Sequence, residues 1–547
     1  MKDAGWTPPD EHHQMNTGRP QAWLRDLRRL MARLPRPSMS RVPDAPIQPM
    51  RDVWPGDPTR GARLLRGEME LGGATTTLQP GSWPGGTTSP ILIAGAHGFA
   101  WLRDLREIGS PTALLRARAL IGEWIGAPPA DPIAHRPDVT GARIAAWLGH
   151  YDFFAATADD AFRQKVMARL VADARRLSAS LPTEEIDGRA LTALKGLTAV
   201  AVALPDQQTY LNRVLRFLPQ ELARQVLPDG CHVERSPLAH LTALQDLIDI
   251  RALLQSAQAQ PPGALTNTIE RMATVLRFFR HGDLGLAQFN GAKEAAGPLI
   301  DQVLARSGRG GKVPSALTEG GFQRLQAGRT TVIVDSGTPP PPGLDRYAHA
   351  GTLAMEMSVG RERVVVNCGG FPVGGEPWRD ATRATAAHST LVIADVNSSE
   401  LKPDGLGHRS GVHDLQRQEA DGAHWLEVSH DGWKRAFGAI HRRSLYIASS
   451  GDDVRGEDTI EAFGPQPFTL RFHLHPDVSA SPQRDGEAVL LRLRSGTGWR
   501  LRADGGRLSI EDSIYLGGAE PRRSEQVVVT GHADGPQQVK WAISKVG

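Results

Sequence analysis

His349, Asn367 and His388 fall among strand-like segments in DRYAHAGTLAMEMSVGRERVVVNCGGFPVGGEPWRDATRATAAHSTL (345–391), where three polar side chains can converge. Zinc takes imidazole nitrogen and oxygen ligands, so these residues offer three of the four positions of a tetrahedral site. Cys368 is adjacent, but in an extended strand its side chain leaves the opposite face from Asn367. The competing reading makes His349 and His388 hydrogen-bonded core histidines.

A second cluster, DGCHVERSPLAHLTALQDL (229–247), packs Asp229, His232, Glu234, Arg235 and His240 ahead of an apolar helix. Ser236 and Pro237 are helix-start signals. Ser236 and His240 share one helical face, which permits a polar site at the helix N-terminus. The plainer alternative is a capped helix with a surface Glu234–Arg235 charge pair. A third group comprises HGFAWLRD (97–104) with Arg143, Trp147, His150, Tyr151 and Asp152. Aromatic faces stack on sugar rings and arginine grips acidic groups, although most such aromatics are simply core.

These residues need elements to hold them. From about 97 to 300 the apolar residues recur at helical spacing, as in FRQKVMARLVADARRL, ALTALKGLTAVAVAL and LAHLTALQDLIDIRALLQ, which predicts seven or more helices. After SGRGGKVPSA (307–316) the pattern changes to short β-rich runs, among them TTVIVD, LAMEMSV, ERVVVN, STLVIA, FTLRFHL and EQVVVT. Punctuated by turns such as RDGE (484–487), they predict an antiparallel sandwich. The expected domains are a flexible leader over 1–50 with a short amphipathic helix at 23–34, a helical domain over 51–306 and a β-sandwich over 317–547. A helical half followed by a β half leaves a groove between them, a common place for ligands.

The chain has 547 residues, 40% hydrophobic and 22% charged, enough to bury substantial cores. Its net charge of +3 is small for this length and argues poorly for nucleic-acid binding. Arginine dominates over lysine, which would suit an acidic sugar ligand, but a genome-wide codon bias gives the same excess and is the preferred cause. No apolar run has the length of a membrane span. The N-terminus lacks the pattern of a secretory signal, which favours the cytoplasm. Two cysteines cannot form a disulfide framework. No Gly-rich phosphate loop with strand and helix flanks appears, so no nucleotide is expected.

The β half resembles the heparinase II/III family of polysaccharide lyases in FQRLQAGRTTVIVDSG (322–337), the His349 segment, VVVNCGG (364–370), RATAAHSTLVI (383–393) and HRRSLYIASSGDDVRGED (441–458). The helical half resembles it in AWLGHYDFF, LKGL and DGCHVERSP. The resemblance implies an (α/α) toroid of helical hairpins followed by an antiparallel β-sandwich. It also implies β-elimination on uronic-acid glycans, heparin/heparan-like or alginate-like, with one structural zinc and a periplasmic or envelope location. Such elimination needs a group that neutralises the C5 carboxylate, a base for the C5 proton and an acid for the departing oxygen, and it implies no redox cofactor.

The family's Asn-His pair falls near Gly188 and Arg189, its tyrosine falls on Ala239, and the first histidine of its His-x-His motif is Tyr347. The second is His349; Asn367 stands for the metal-binding aspartate and His388 matches. The resulting expectation puts His232, Glu234, Arg235, His240 and Tyr347 in catalysis. Arg143, His150, Tyr151, Arg189 and Arg383 are expected on substrate, and His349, Asn367 and His388 on metal. Two rival readings are a non-catalytic glycan-binding or envelope-assembly protein and a glycoside hydrolase pairing Glu234 with Asp104 or Asp152.

Overall fold

The computed structural model describes residues 42–546 except 185, 206, 309, 372–374, 463 and 484–485. The helix expected at 23–34 and half of the turn at 484–487 lie outside the described residues. A helical region runs from Pro58 to Arg306, and antiparallel sheets follow. No helix among the described residues is long and apolar enough to cross a membrane.

Helix Arg189–Ala203 is the centre of the helical half and is buried along almost its whole length, because ALTALKGLTAVAVA carries small and apolar residues on every face. It crosses helix Pro137–Gly149 at Gly196 and Gly141. A Cβ on Gly196 would sit 2.3 Å from the Gly141 Cα, so only paired glycines let these backbones approach. That contact fixes how the N-terminal ends of the two helices lie. Helix Pro237–Ser256 starts as expected, with Pro237 in its first turn and Ser236 accepting from the Ala239 N–H. The helical spacing around AWLGHYDFF falls on two helices, Pro137–Gly149 and Tyr151–Ala155, divided at His150. Helix Pro111–Gly126 and the hairpin Glu68–Leu71/Ala74–Thr77 were not expected.

Among the described residues the sandwich has an eight-stranded and a nine-stranded sheet. Their facing sides close over Leu325, Val334, Met357, Phe472, Leu426, Trp499 and Trp541. The nine-stranded sheet carries the strands nearest the helices, including Phe322–Ala327, Thr330–Asp335, Met355–Val359 and Glu362–Val366. Phe322 enters the helical core, its ring 4.9 Å from Phe279 and 5.3 Å from Phe289. Arg324 donates to the carbonyls of Phe278 and Arg280. Part-buried polar ties of this kind join the two halves.

Candidate active site in the cleft

A cavity of about 410 Å³ lies between the halves. Four helix starts converge on it: Pro90–Gly98 through Pro90 and Ile91, Pro137–Gly149 through Arg136 and Asp138, Arg189–Ala203 through Gly188 and Arg189, and Pro237–Ser256 through Ser236 and Leu238. The first three have no side-chain cap at the preceding residue. Helix N-termini carry partial positive charge, so their convergence favours an anionic ligand. Arg136, Arg189, Arg346 and Arg379 add full charges to the lining. Arg136 and Arg189 are paired with Asp138 and Asp187, each at close range. Arg346 has no carboxylate partner among the described residues and lies over the Tyr347 ring at 5.7 Å. The sandwich contributes Tyr347, His349 and Phe371.

His349 sits on the loop between strands Thr330–Asp335 and Met355–Val359, its N–H held by the Asn290 side chain. Its Nδ1 lies 3.0 Å from His388 Nε2, and His388 Nδ1 lies 2.8 Å from the Ala384 carbonyl. A carbonyl only accepts, so His388 carries its proton on Nδ1 and accepts at Nε2 from His349 Nδ1–H. His349 Nε2 is therefore a bare lone pair, with no hydrogen-bond partner among the described residues. It faces Gly291 on the cavity wall, where an added Cβ would lie 3.4 Å away. Burial, with His388 and Arg383 nearby, pushes the His349 pKa well below the ordinary value, and burial takes His388 down to about 4. Both rings are neutral near pH 7.

Glu234 accepts the Gly188 N–H at 3.0 Å. Burial and the adjacent Asp187 raise its pKa to about 7, against the opposing pull of the Gly188 N–H and Arg189. A carboxyl poised there exchanges protons near neutrality, the range a general acid requires.

Several expected residues are elsewhere. His232 and His240 are fully buried and do not line the cavity. His240 Nε2 donates to the Met272 carbonyl while Nδ1 accepts the His232 N–H, so both nitrogens are committed to the core. Burial lowers their pKa values to about 3 for His232 and about 4 for His240. Arg235 ties the halves together, pairing with Asp335 and donating to the Gly320 and Gly321 carbonyls. Arg143 is completely buried, paired with Asp173 at 2.9 Å, its guanidinium 4.1 Å from the Trp124 ring. His150 donates to the Ala146 carbonyl within the helical core, and buried Tyr151 packs on Phe154. Arg383 reaches the cavity wall, but its three nitrogens serve the carbonyls of Ala348, Lys402 and Gly405. Asp104 is bound by Arg60 and the Asp57 N–H, and Asp152 is exposed on its own helix, so neither faces Glu234 across the cavity.

Asn367 does not complete a metal site. Its Oδ1 accepts the Ser389 N–H and its Nδ2 donates to Glu356, a fully buried carboxylate that also accepts the Asn367 and Gln288 N–H groups and pairs with His281. An aspartate here would set two carboxylates against each other, which is the physical reason for the amide. With no anionic ligand, and no group of three His, Cys, Asp or Glu placed for a metal among the described residues, the donor set does not fit zinc.

Residues 136–306 match the family model described as Heparinase II/III N-terminus, and residues 309–542 match Heparinase II/III-like, C-terminal. The chain belongs to the heparinase II/III-like family. FtsZ-localized protein C of Caulobacter vibrioides is 30% identical over 545 residues, covering 94% of this chain and 92% of that protein. A crystal structure of heparinase III aligns with a TM-score of 0.74 at 12% identity, over 96% of this chain and 89% of its own. The heparan sulfate lyase HepC from Pedobacter heparinus aligns with a TM-score of 0.57 at 15% identity, over 95% and 87%. At these identities the structural likeness concerns the fold.

Proposed function

We propose that the cleft binds an acidic, uronate-containing glycan and cleaves it by β-elimination. The supporting observation is the meeting, in one cavity, of four helix N-termini and an arginine lining with a neutral histidine whose free Nε2 faces inward. The uronate carboxylate is held by Arg189 and Arg346 at the positive helix ends, which stabilises the charge that develops as the C5 proton leaves. His349 Nε2 takes that proton, with His388 and the Ala384 carbonyl holding the ring in the required tautomer. Glu234, whose raised pKa keeps a proton available near neutrality, returns a proton to the departing glycosidic oxygen, and Tyr347 borders the same space. The C4–O bond breaks and a C4–C5 double bond forms; the step is redox-neutral and uses no metal.

Ala239 favours a second reading. It lies on the cavity wall where the resemblance calls for a tyrosine, and with Ile91, Ala94, Leu238 and Phe371 it makes that wall apolar. A glycan-binding protein without chemistry would tolerate this replacement, and the name of the Caulobacter relative is compatible with such a role beside the division machinery.

Incubation with a panel of uronate polysaccharides separates the readings. Ultraviolet absorbance from the new double bond is expected with at least one polymer. Binding without product supports the second reading, and reducing ends without absorbance would replace elimination by hydrolysis.

A further inference from the structure

The outer face of the eight-stranded sheet forms a trough of about 1430 Å³, separate from the cleft. Strand register places Trp425 opposite Tyr446, Tyr446 opposite Arg455, Arg455 opposite Ala542, and Ala542 opposite Arg502. All five side chains leave the same face, because their neighbours Leu426, Leu445, Val454, Ile543 and Leu501 fill the sandwich core. The result is a straight row across five strands, about 19 Å long at the usual interstrand spacing. An aromatic pair stands at one end and arginine at the other, with Ala542 leaving a low step between.

An ordinary solvated sheet face explains outward charges. It does not explain a tryptophan beside a tyrosine that is 37% exposed, or the concavity. The charges are also unevenly matched. Arg455 pairs with Asp453, Lys540 with Glu457 and Lys545 with Asp452. Arg500, Arg502 and Arg507 line the trough with no ion-pair partner among the described residues, while Glu487 and Asp504 are the acids without a cation.

We infer that this row is a second binding surface for a linear acidic oligosaccharide. Sugar rings stack on Trp425 and Tyr446, and carboxylate or sulfate groups meet Arg500 and Arg502. The row lies in the middle of a sheet, where two neighbouring aromatic side chains offer faces to sugar rings, whereas an extended acidic peptide would pair with a strand edge. The surface shares no residue with the cleft, so it stands or falls independently of the reaction proposed there.

The test is calorimetric titration of the full chain, carrying His349→Gln to prevent turnover, with heparosan and alginate oligosaccharides and, separately, with polyglutamate. Two sugar sites are expected. Trp425→Ala with Tyr446→Ala, and independently Arg502→Glu, should weaken one of them at least tenfold, while Ala239→Trp, which fills the cleft, should remove only the other. Should the cleft bind no sugar, a single site sensitive to the surface variants still supports the row. Sugar binding indifferent to both sets of surface variants, no sugar binding at all, or polyglutamate taking the row in place of sugar would overturn the inference. Arg502 is exposed on the sheet surface, so its charge reversal keeps the test readable if the aromatic double variant folds poorly.

Discussion

The turn at 229–240 buries its histidines behind the cleft wall, whereas the loop at 345–349 brings His349 to the cavity, and the two do opposite work. In the turn, both nitrogens of His240 are engaged by backbone groups, and His232 lies between the Gln225 side chain and the Glu234 N–H. In the loop, His349 commits only Nδ1 and leaves Nε2 to the cavity. The number of ring nitrogens already satisfied, rather than the density of polar residues along the chain, separates a structural histidine from one free to move a proton. Glu234 belongs to the turn and follows the second pattern, because its backbone neighbours face inward while its carboxyl borders the cavity.

Breaking the strut in the turn gives the largest expected loss of stability. Arg235→Ala strands the Asp335 carboxylate in the interior, and denaturant unfolding should show a loss of about 3–5 kcal/mol. His240→Ala leaves the Met272 carbonyl and the His232 N–H without partners. It should cost about 2–3 kcal/mol, with the activity per folded molecule retained. Equal stability in either variant would show that the turn is not the structural member of the comparison.

Glu234 sharpens the contrast through pH. Its folded pKa of about 7 lies above the carboxyl reference of 4.5, so the native state holds a proton that the unfolded chain has released. Stability from this group is therefore fully present below pH 4.5 and is lost as pH rises to 7, by roughly 3 kcal/mol in all. Glu234→Gln should remove that dependence, so the difference in unfolding free energy between wild type and variant should shift across pH 4.5–7 and be flat above it. The smallest effect expected is that of a chelator. If Asn367 serves Glu356 rather than zinc, EDTA leaves the melting temperature unchanged, and a clear drop would restore the metal site.

Much of the architecture is legible in the sequence where burial imposes a period. Helix Arg189–Ala203 and strands such as Thr330–Asp335 carry continuous apolar runs. Strand Val412–Ala420 escapes such reading because it lies at a sheet edge with most side chains in water, and Arg507–Tyr515, at the edge of the other sheet, is mostly half-buried. The cavity is harder to read, since its lining comes from four helix starts distant in sequence. Glu234 was identifiable in a polar cluster ahead of an apolar helix, whereas Tyr347 and Arg189 came only from the positions that the family resemblance assigns. Arg346, beside Tyr347, and Arg136, at a helix start before proline, carried the only local signals for the residues missed. The role of Asn367 depends on Glu356 from the adjacent strand, a cross-strand relation that neither segment reveals alone.

His349 Nε2 is the group proposed to remove the C5 proton of a bound uronate. Nuclear magnetic resonance of a uronate oligosaccharide in deuterated buffer follows that proton directly, whether or not the chain is then cleaved. The wild-type protein should exchange deuterium into C5 or release unsaturated product, and His349→Gln should slow this by at least about a hundredfold while binding the sugar with similar affinity. Equal rates in the two proteins, or a bound sugar whose C5 proton never exchanges and that yields no product with wild type, would contradict the account.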